Sequence, residues 1–191
     1  MQQLLRTHFA LLVFCVLVSA SLPARATTIV GGSVVELAAV ADLIVAGTVL
    51  QSESRLDGSM IVTHTTLRVE QVYQGGVPDS EIVIVSPGGR VGDLATRVAG
   101  ADTYAAGEQV LVFLQQGDDG QYGSVALSFS KFTLSRSANG WIATRQADGA
   151  TVLMPASDGS LVPSDGAFPS VMPLEELEEQ LDPTRTHEVV P

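Results

Sequence analysis

The sequence is poor in cysteine. Its single cysteine, Cys15, lies in an apolar run near the N-terminus, and we interpret residues 1–26 as a signal peptide that is removed. The remaining chain then contains no thiol, which excludes both disulfide bonds and zinc sites built on thiolates. A fold without these crosslinks must be stabilised by side-chain packing and by hydrogen bonds between strands.

Long hydrophobic runs are also scarce. The one clear run, Phe9–Val18, follows Arg6 and precedes a small-x-small motif at residues 24–26. It is too short to span a bilayer, which requires about 20 residues, and this arrangement is typical of a Sec-type signal peptide. We therefore place the mature start at Thr27. The sequence predicts an exported protein, periplasmic or secreted, with no membrane span after cleavage.

Positively charged residues are also few. The chain has 10 Lys and Arg residues against 21 Asp and Glu residues, and its net charge of −11 becomes −13 once Arg6 and Arg25 are removed. An acidic surface repels phosphate backbones and anionic lipids. We therefore expect neither nucleic acids nor membrane surfaces as partners. Solubility outside the cell is the simplest reason for the negative charge.

Recognisable catalytic and metal-binding patterns are absent as well. The two histidines after residue 26, His64 and His187, are far apart and form no His-x-x-x-His pair, so we predict no metal site and no cofactor. Residues 128–131 match Ser-x-x-Lys by letter, but the surroundings indicate a strand junction rather than the helix that such a pair requires. We predict no catalytic residue; weak calcium binding at Asp-Gly turns stays open.

Strand signals are abundant in what remains. Ser33 and Glu36 form a capping-box pattern that predicts a short helix, and Leu174–Leu181 has the leucine spacing of a second one. We expect Arg55–Ser59 to be a turn, and hairpins at the Asn-Gly and Asp-Gly pairs of residues 139–140 and 148–149. Apolar and β-branched runs predict eight strands: Leu43–Leu50, Met60–Tyr73, Ile82–Val85, Val110–Leu114, Tyr122–Leu127, Lys131–Arg136, Trp141–Arg145 and Thr151–Met154.

One long connection lacks clear periodicity. Residues 90–107 are expected to contain a short extra strand or turn around Val91–Val98, and connections of this length are often functional. We take the 87–107 segment as the candidate binding loop. Its candidate ligand-binding residues are Arg90, Asp93, Arg97, Asp102 and Tyr104.

The composition also predicts the domain organisation. Residues 27–154 are expected to form one β-barrel domain with a hairpin extension around Trp141. Residues 155–191 are expected to form a linker rich in Pro, Gly and Asp, with a short acidic helix near its end.

Three apolar motifs with glycines carry a family resemblance. They are residues 42–49 (DLIVAGTV), 69–75 (VEQVYQG) and 107–114 (GEQVLVFL). This order resembles the netrin-type modules, which include the tissue inhibitors of metalloproteinases, and exported bacterial proteins of the same pattern. The resemblance implies an all-β, OB-fold-like barrel of five to six strands. Those inhibitors chelate zinc through an N-terminal cysteine, whereas the predicted start here is Thr27, so no functional residue is transferred.

Together these patterns predict a non-enzymatic module that binds a protein or another extracellular ligand through the 87–107 loop and the adjoining barrel face. Three alternatives stay open: a secreted metalloprotease inhibitor, an enzyme with an unfamiliar site, and a structural or accessory protein of the envelope. The ligand and the oligomeric state are not predicted.

Overall fold

A computed structural model describes residues 27–76, 80–145, 150–156, 158–164 and 170–182. The predicted signal peptide, the Asp-Gly pair at 148–149 and His187 lie outside these residues. Two helices are described, α1 (Val34–Val40) and α2 (Leu174–Leu181). The strands are β1 (Thr27–Val30), β2 (Leu43–Asp57), β3 (Met60–Gln74), β4 (Glu81–Pro87), β5 (Gly89–Val91), β6 (Leu94–Thr96), β7 (Gln109–Gln116), β8 (Tyr122–Ser128), β9 (Lys131–Ser137), β10 (Gly140–Arg145), β11 (Ala150–Pro155), β12 (Leu161–Pro163) and β13 (Val171–Pro173).

Both predicted helices are confirmed. The Ser33 hydroxyl accepts a hydrogen bond from the Glu36 amide at 3.2 Å, and the Glu36 carboxylate accepts one from the Ser33 amide at 2.7 Å, so the capping box is complete. In α2, Leu177 is buried and packs into the core that also receives Leu37 of α1. Among the described residues no helix is long and apolar enough to cross a membrane.

Eight strands form one large sheet in the order β13-β10-β9-β7-β2-β3-β4-β8. Because β8 also pairs with β7, the five strands β7, β2, β3, β4 and β8 close into a ring. Ring neighbours are antiparallel except β4 and β8, which pair in parallel at Ile84 and Tyr122. The all-β prediction is confirmed, and closure leaves these strands few unpaired edges.

The ring strand β7 separates two apolar cores. Val110, Val112 and Leu114 point into one core with side chains from β2, β3 and β4. Leu111 and Phe113 point the other way, toward a second core under both helices. Successive side chains of a strand face opposite sides, so a strand that is apolar at every position must be buried on both faces.

Three predictions about local structure are wrong. The turn expected at residues 55–59 is confined to Gly58-Ser59, since β2 continues to Asp57. The strand after the Asp-Gly pair, β11, does not form a hairpin with β10 among the described residues, but pairs in parallel with β1. The first part of the 155–191 segment, expected to be a linker, contains β12 and β13, which pair with β11 and β10. By contrast, the hairpin predicted at Asn139-Gly140 is confirmed by the β9–β10 pairing.

Candidate functional site

The 87–107 segment begins as a hairpin lying against the ring. Strands β5 and β6 pair with each other within the region where a short extra strand or turn was expected. Gly88 and Gly89 have φ angles of +93° and +133°, a region that side chains rarely adopt. A Cβ atom at Gly89 would lie 2.2 Å from the Ser54 hydroxyl and 2.5 Å from the Thr63 hydroxyl. Glycine therefore allows the chain to pass directly over β2 and β3.

A cleft of about 560 Å³ lies between this segment and the ring. Its ring wall carries three hydroxyls, from Ser52, Ser54 and Thr63. Ser54 and Thr63 are joined across the strands at 3.0 Å, and the Thr63 hydroxyl also donates to the Gly88 carbonyl at 2.8 Å. The hydroxyls that face the cleft are therefore held in fixed positions.

The structure brings together three of the five candidate ligand-binding residues. Arg97, Asp102 and Tyr104 all line the cleft. Arg90 and Asp93 do not line it: they are exposed on the β5–β6 hairpin and its turn. Within the predicted segment, the structure therefore places fewer of the candidate residues at the cleft than the sequence indicated.

Asp102, a lining residue of the cleft, ties the segment to the ring. Its side chain is 4% exposed, and its Oδ2 accepts hydrogen bonds from the Tyr104 hydroxyl at 2.8 Å and the Ser124 hydroxyl at 2.5 Å. Burial, and then the nearby Asp102 charge, raise the pKa of Tyr104 well above its ordinary value. Tyr104 thus stays a protonated donor at neutral pH and is unsuited to act as a base.

A second set of contacts fixes the end of the segment. The Lys131 Nζ atom lies 2.7 Å from Glu108 Oε1 and 4.5 Å from the centre of the Tyr104 ring, and it donates to the Thr103 carbonyl at 2.5 Å. The Glu108 carboxylate also accepts from the Thr133 hydroxyl at 2.7 Å. Both charged side chains of this pair are largely buried. Such a satisfied network holds the segment as a preformed wall.

The Ser-x-x-Lys letter match forms no catalytic pair. The Lys131 ammonium pairs with the Glu108 carboxylate and donates to the Thr103 carbonyl. The buried Ser128 hydroxyl has no hydrogen-bond partner among the described residues. His64 does not line the cleft. No group of three His, Cys, Asp or Glu side chains that could hold a metal occurs in the part of the chain that the structure describes.

Sequence reasoning missed Ser124, Glu108 and Lys131. Each lies on or beside a ring-associated strand, and each is an ordinary polar residue of a strand sequence. No local pattern indicates that these three residues contact the 87–107 segment, because their approach to the segment depends on which strands pair. No known protein-family profile matches this chain, and a comparison with curated proteins gives no significant match.

The buried Glu108 carboxylate predicts a loss of stability in acid. Burial alone would raise the pKa of Glu108, but hydrogen bonds from Lys131, Thr133 and the Ala105 amide outweigh burial and hold the pKa below its ordinary value of 4.5. A lowered pKa contributes stability above pH 4.5, and this stability is lost as the pH falls through the folded-state pKa. Urea unfolding between pH 6 and pH 3 measures this loss of stability.

Glu108→Gln is the matched variant for this measurement, because it keeps the size and one acceptor oxygen but cannot titrate. We expect its stability to fall less steeply with acid than that of the parent protein. Parallel curves for the two proteins would contradict a role for this carboxylate.

Proposed function

We propose that the protein is an exported, non-enzymatic module that binds an extracellular protein or other extracellular ligand in the cleft between residues 87–107 and the β2–β3 face. The observation that carries this proposal is the preformed cleft of about 560 Å³. Ligand sites are typically concave, largely preformed and provided with a few fixed polar groups. The hydroxyls of Ser54 and Thr63 and the Asp102 network match that description.

The lining favours a polar ligand with an acidic group. Hydroxyls and backbone dominate the ring wall, and Arg97 makes no ion pair with the described residues. Its guanidinium is exposed and can pair with a carboxylate of a ligand. We therefore favour an extended segment of a protein partner that presents an acidic side chain to Arg97.

The barrel is proposed to be OB-like. OB-folds are five-stranded, partly open Greek-key barrels that bind ligands on the face of their second and third strands and on neighbouring loops. Counting from β2, the second and third strands of the ring are β3 and β4. Thr63 of β3 lines the cleft together with Ser52 and Ser54 of the first ring strand, β2, and the 87–107 segment begins at the end of β4. The ring therefore supports the OB-like assignment and the fold that the netrin-type resemblance implies.

Photo-crosslinking in the exporting cells tests the binding function. A benzophenone amino acid replaces Thr96, an exposed residue on the cleft, and in a matched control it replaces Arg136, an exposed residue of β9 that does not line the cleft. We expect a discrete adduct from position 96 and none from position 136, read by mass spectrometry.

A cleft-filling variant makes the test specific. Thr103 is exposed at the cleft, so Thr103→Trp occupies the space without disturbing the core. We expect this variant to keep its melting temperature and to lose the adduct at position 96. Equal adducts from both positions, no adduct at all, or an adduct unaffected by Thr103→Trp would each overturn the proposal.

A further inference from the structure

A buried arginine packs against the second core. Arg145, the last residue of β10, is 6% exposed. Its guanidinium carbon lies 4.1 Å from the centre of the Phe129 ring and 4.3 Å from that of Phe132. Its Nε atom is buried without a hydrogen-bond partner, and its side chain makes no ion pair with the described residues. Among the described residues, this cation is therefore stacked on aromatic rings without a hydrogen-bond acceptor.

The same guanidinium lines a cavity of about 200 Å³. The cavity lies between the β1–α1 junction, β11, β13 and α2, and shares no lining residue with the cleft described above. Its apolar lining comes from Val34, Met154 and Met172. Its polar lining, besides Arg145, comes from Ser33, Glu36 and Gln180.

The two charged side chains at this cavity, Arg145 and Glu36, differ in whether they already have hydrogen-bond partners. Burial lowers the pKa of Arg145 to about 10, so the guanidinium stays charged at neutral pH. Glu36 is exposed and its carboxylate already accepts from the Ser33 amide and hydroxyl at 2.7 and 2.9 Å. Within the part of the chain that the structure describes, the unmet requirement is thus for acceptor oxygens at Arg145, because a buried charge without a partner is unfavourable.

We propose that this cavity binds a small monocarboxylate with a short apolar tail, whose carboxylate pairs with Arg145. The planar guanidinium matches a carboxylate in two parallel hydrogen bonds. The nearby Glu36 charge disfavours a dianion such as phosphate. The tail then packs against Met154, Met172 and Val34, whose side chains supply the apolar wall. The site is independent of the ligand proposed for the cleft.

Titration of the purified exported protein with sodium butyrate tests this proposal. Binding is read by calorimetry and by melting temperature at constant ionic strength, with butyramide, acetate and inorganic phosphate as separate arms. We expect saturable binding of butyrate and none of butyramide or phosphate. Acetate lacks two methylene groups and is expected to bind about tenfold more weakly. Equal binding of butyrate and butyramide, or no butyrate binding, would overturn the proposal.

Two variants assign the binding to Arg145. Arg145→Met removes the charge and is expected to abolish butyrate binding. Because this buried variant can fail to fold, Glu36→Gln provides a second measurement: glutamine preserves the capping box and removes the repelling charge. We expect Glu36→Gln to bind butyrate several-fold more tightly, since like charges at short range oppose each other. Unchanged affinity in Glu36→Gln, or wild-type affinity in a folded Arg145→Met, would contradict the site.

Discussion

Replacing Gly47 with alanine is expected to lower the free energy of unfolding by about 4 kcal/mol or more. Losses of this size are exceptional and arise from severe defects such as an internal steric clash. A Cβ atom at this position would lie 2.0 Å from the carbonyl oxygen of Arg68 on β3. That oxygen belongs to the backbone, so it cannot rotate away as a side chain would. The pairing of β2 with β3 shifts register between Ala46 and Gly47, and relief of the clash would separate two neighbouring strands of the ring. Urea unfolding followed by circular dichroism measures the loss.

Gly76→Ala is the matched control for this substitution. A Cβ atom at Gly76 would meet nothing within 4 Å, so its stability should change by no more than about 0.5 kcal/mol. Equal stability of the Gly47 and Gly76 variants would show that β2 and β3 do not approach each other as described.

Asp102→Ala is expected to lower the free energy of unfolding by about 3 kcal/mol, because two hydroxyl donors lose their buried acceptor. These donors are Tyr104 and Ser124, which reach Asp102 Oδ2 from the segment and from β8. The variant should also release the segment from the ring. Urea unfolding measures the first effect, and faster amide hydrogen exchange across residues 97–107 reports the second.

Two controls separate this network from a general effect of removing charge. Asp102→Asn retains an acceptor oxygen and is expected to lose less stability than Asp102→Ala. Asp93→Ala removes an exposed carboxylate on the hairpin turn and should change stability by no more than about 0.5 kcal/mol. If Asp93→Ala and Asp102→Ala were equally stable, Asp102 would not anchor the segment.

Local patterns predicted the helices and most strands because helix capping involves residues close in sequence and burial gives a periodic pattern of apolar residues. The capping box of Ser33 and Glu36 is complete within four residues. The run at 110–114 is apolar at every position because β7 faces two cores. The parallel pairing of β1 with β11 joins residues far apart in sequence, and a four-residue strand carries no signal for such a partner. The short strands β12 and β13 end in prolines, so composition favoured a linker.

The candidate site was predicted in part for the same reason. The lack of periodicity at 87–107 predicted a binding loop, and three of its candidate residues line the cleft: Arg97, Asp102 and Tyr104. Their partners could not be inferred, since Ser124 and Lys131 reach them only through the pairing of β8 and β9 with β7. Arg90 and Asp93 have the same residue types but lie on β5 and in the β5–β6 turn, outside the cleft lining, and sequence alone did not place that hairpin.

Nuclear magnetic resonance of the purified protein, without any ligand, tests most directly whether residues 87–107 form a fixed wall of the cleft. The contacts of the Tyr104 ring with Lys131 at 4.5 Å and of its hydroxyl with Ser124 at 3.5 Å predict nuclear Overhauser effects between these side chains. They also predict backbone order parameters of about 0.85 across residues 97–107. Absent Overhauser effects with order parameters below about 0.6 would show a mobile loop and no preformed cleft.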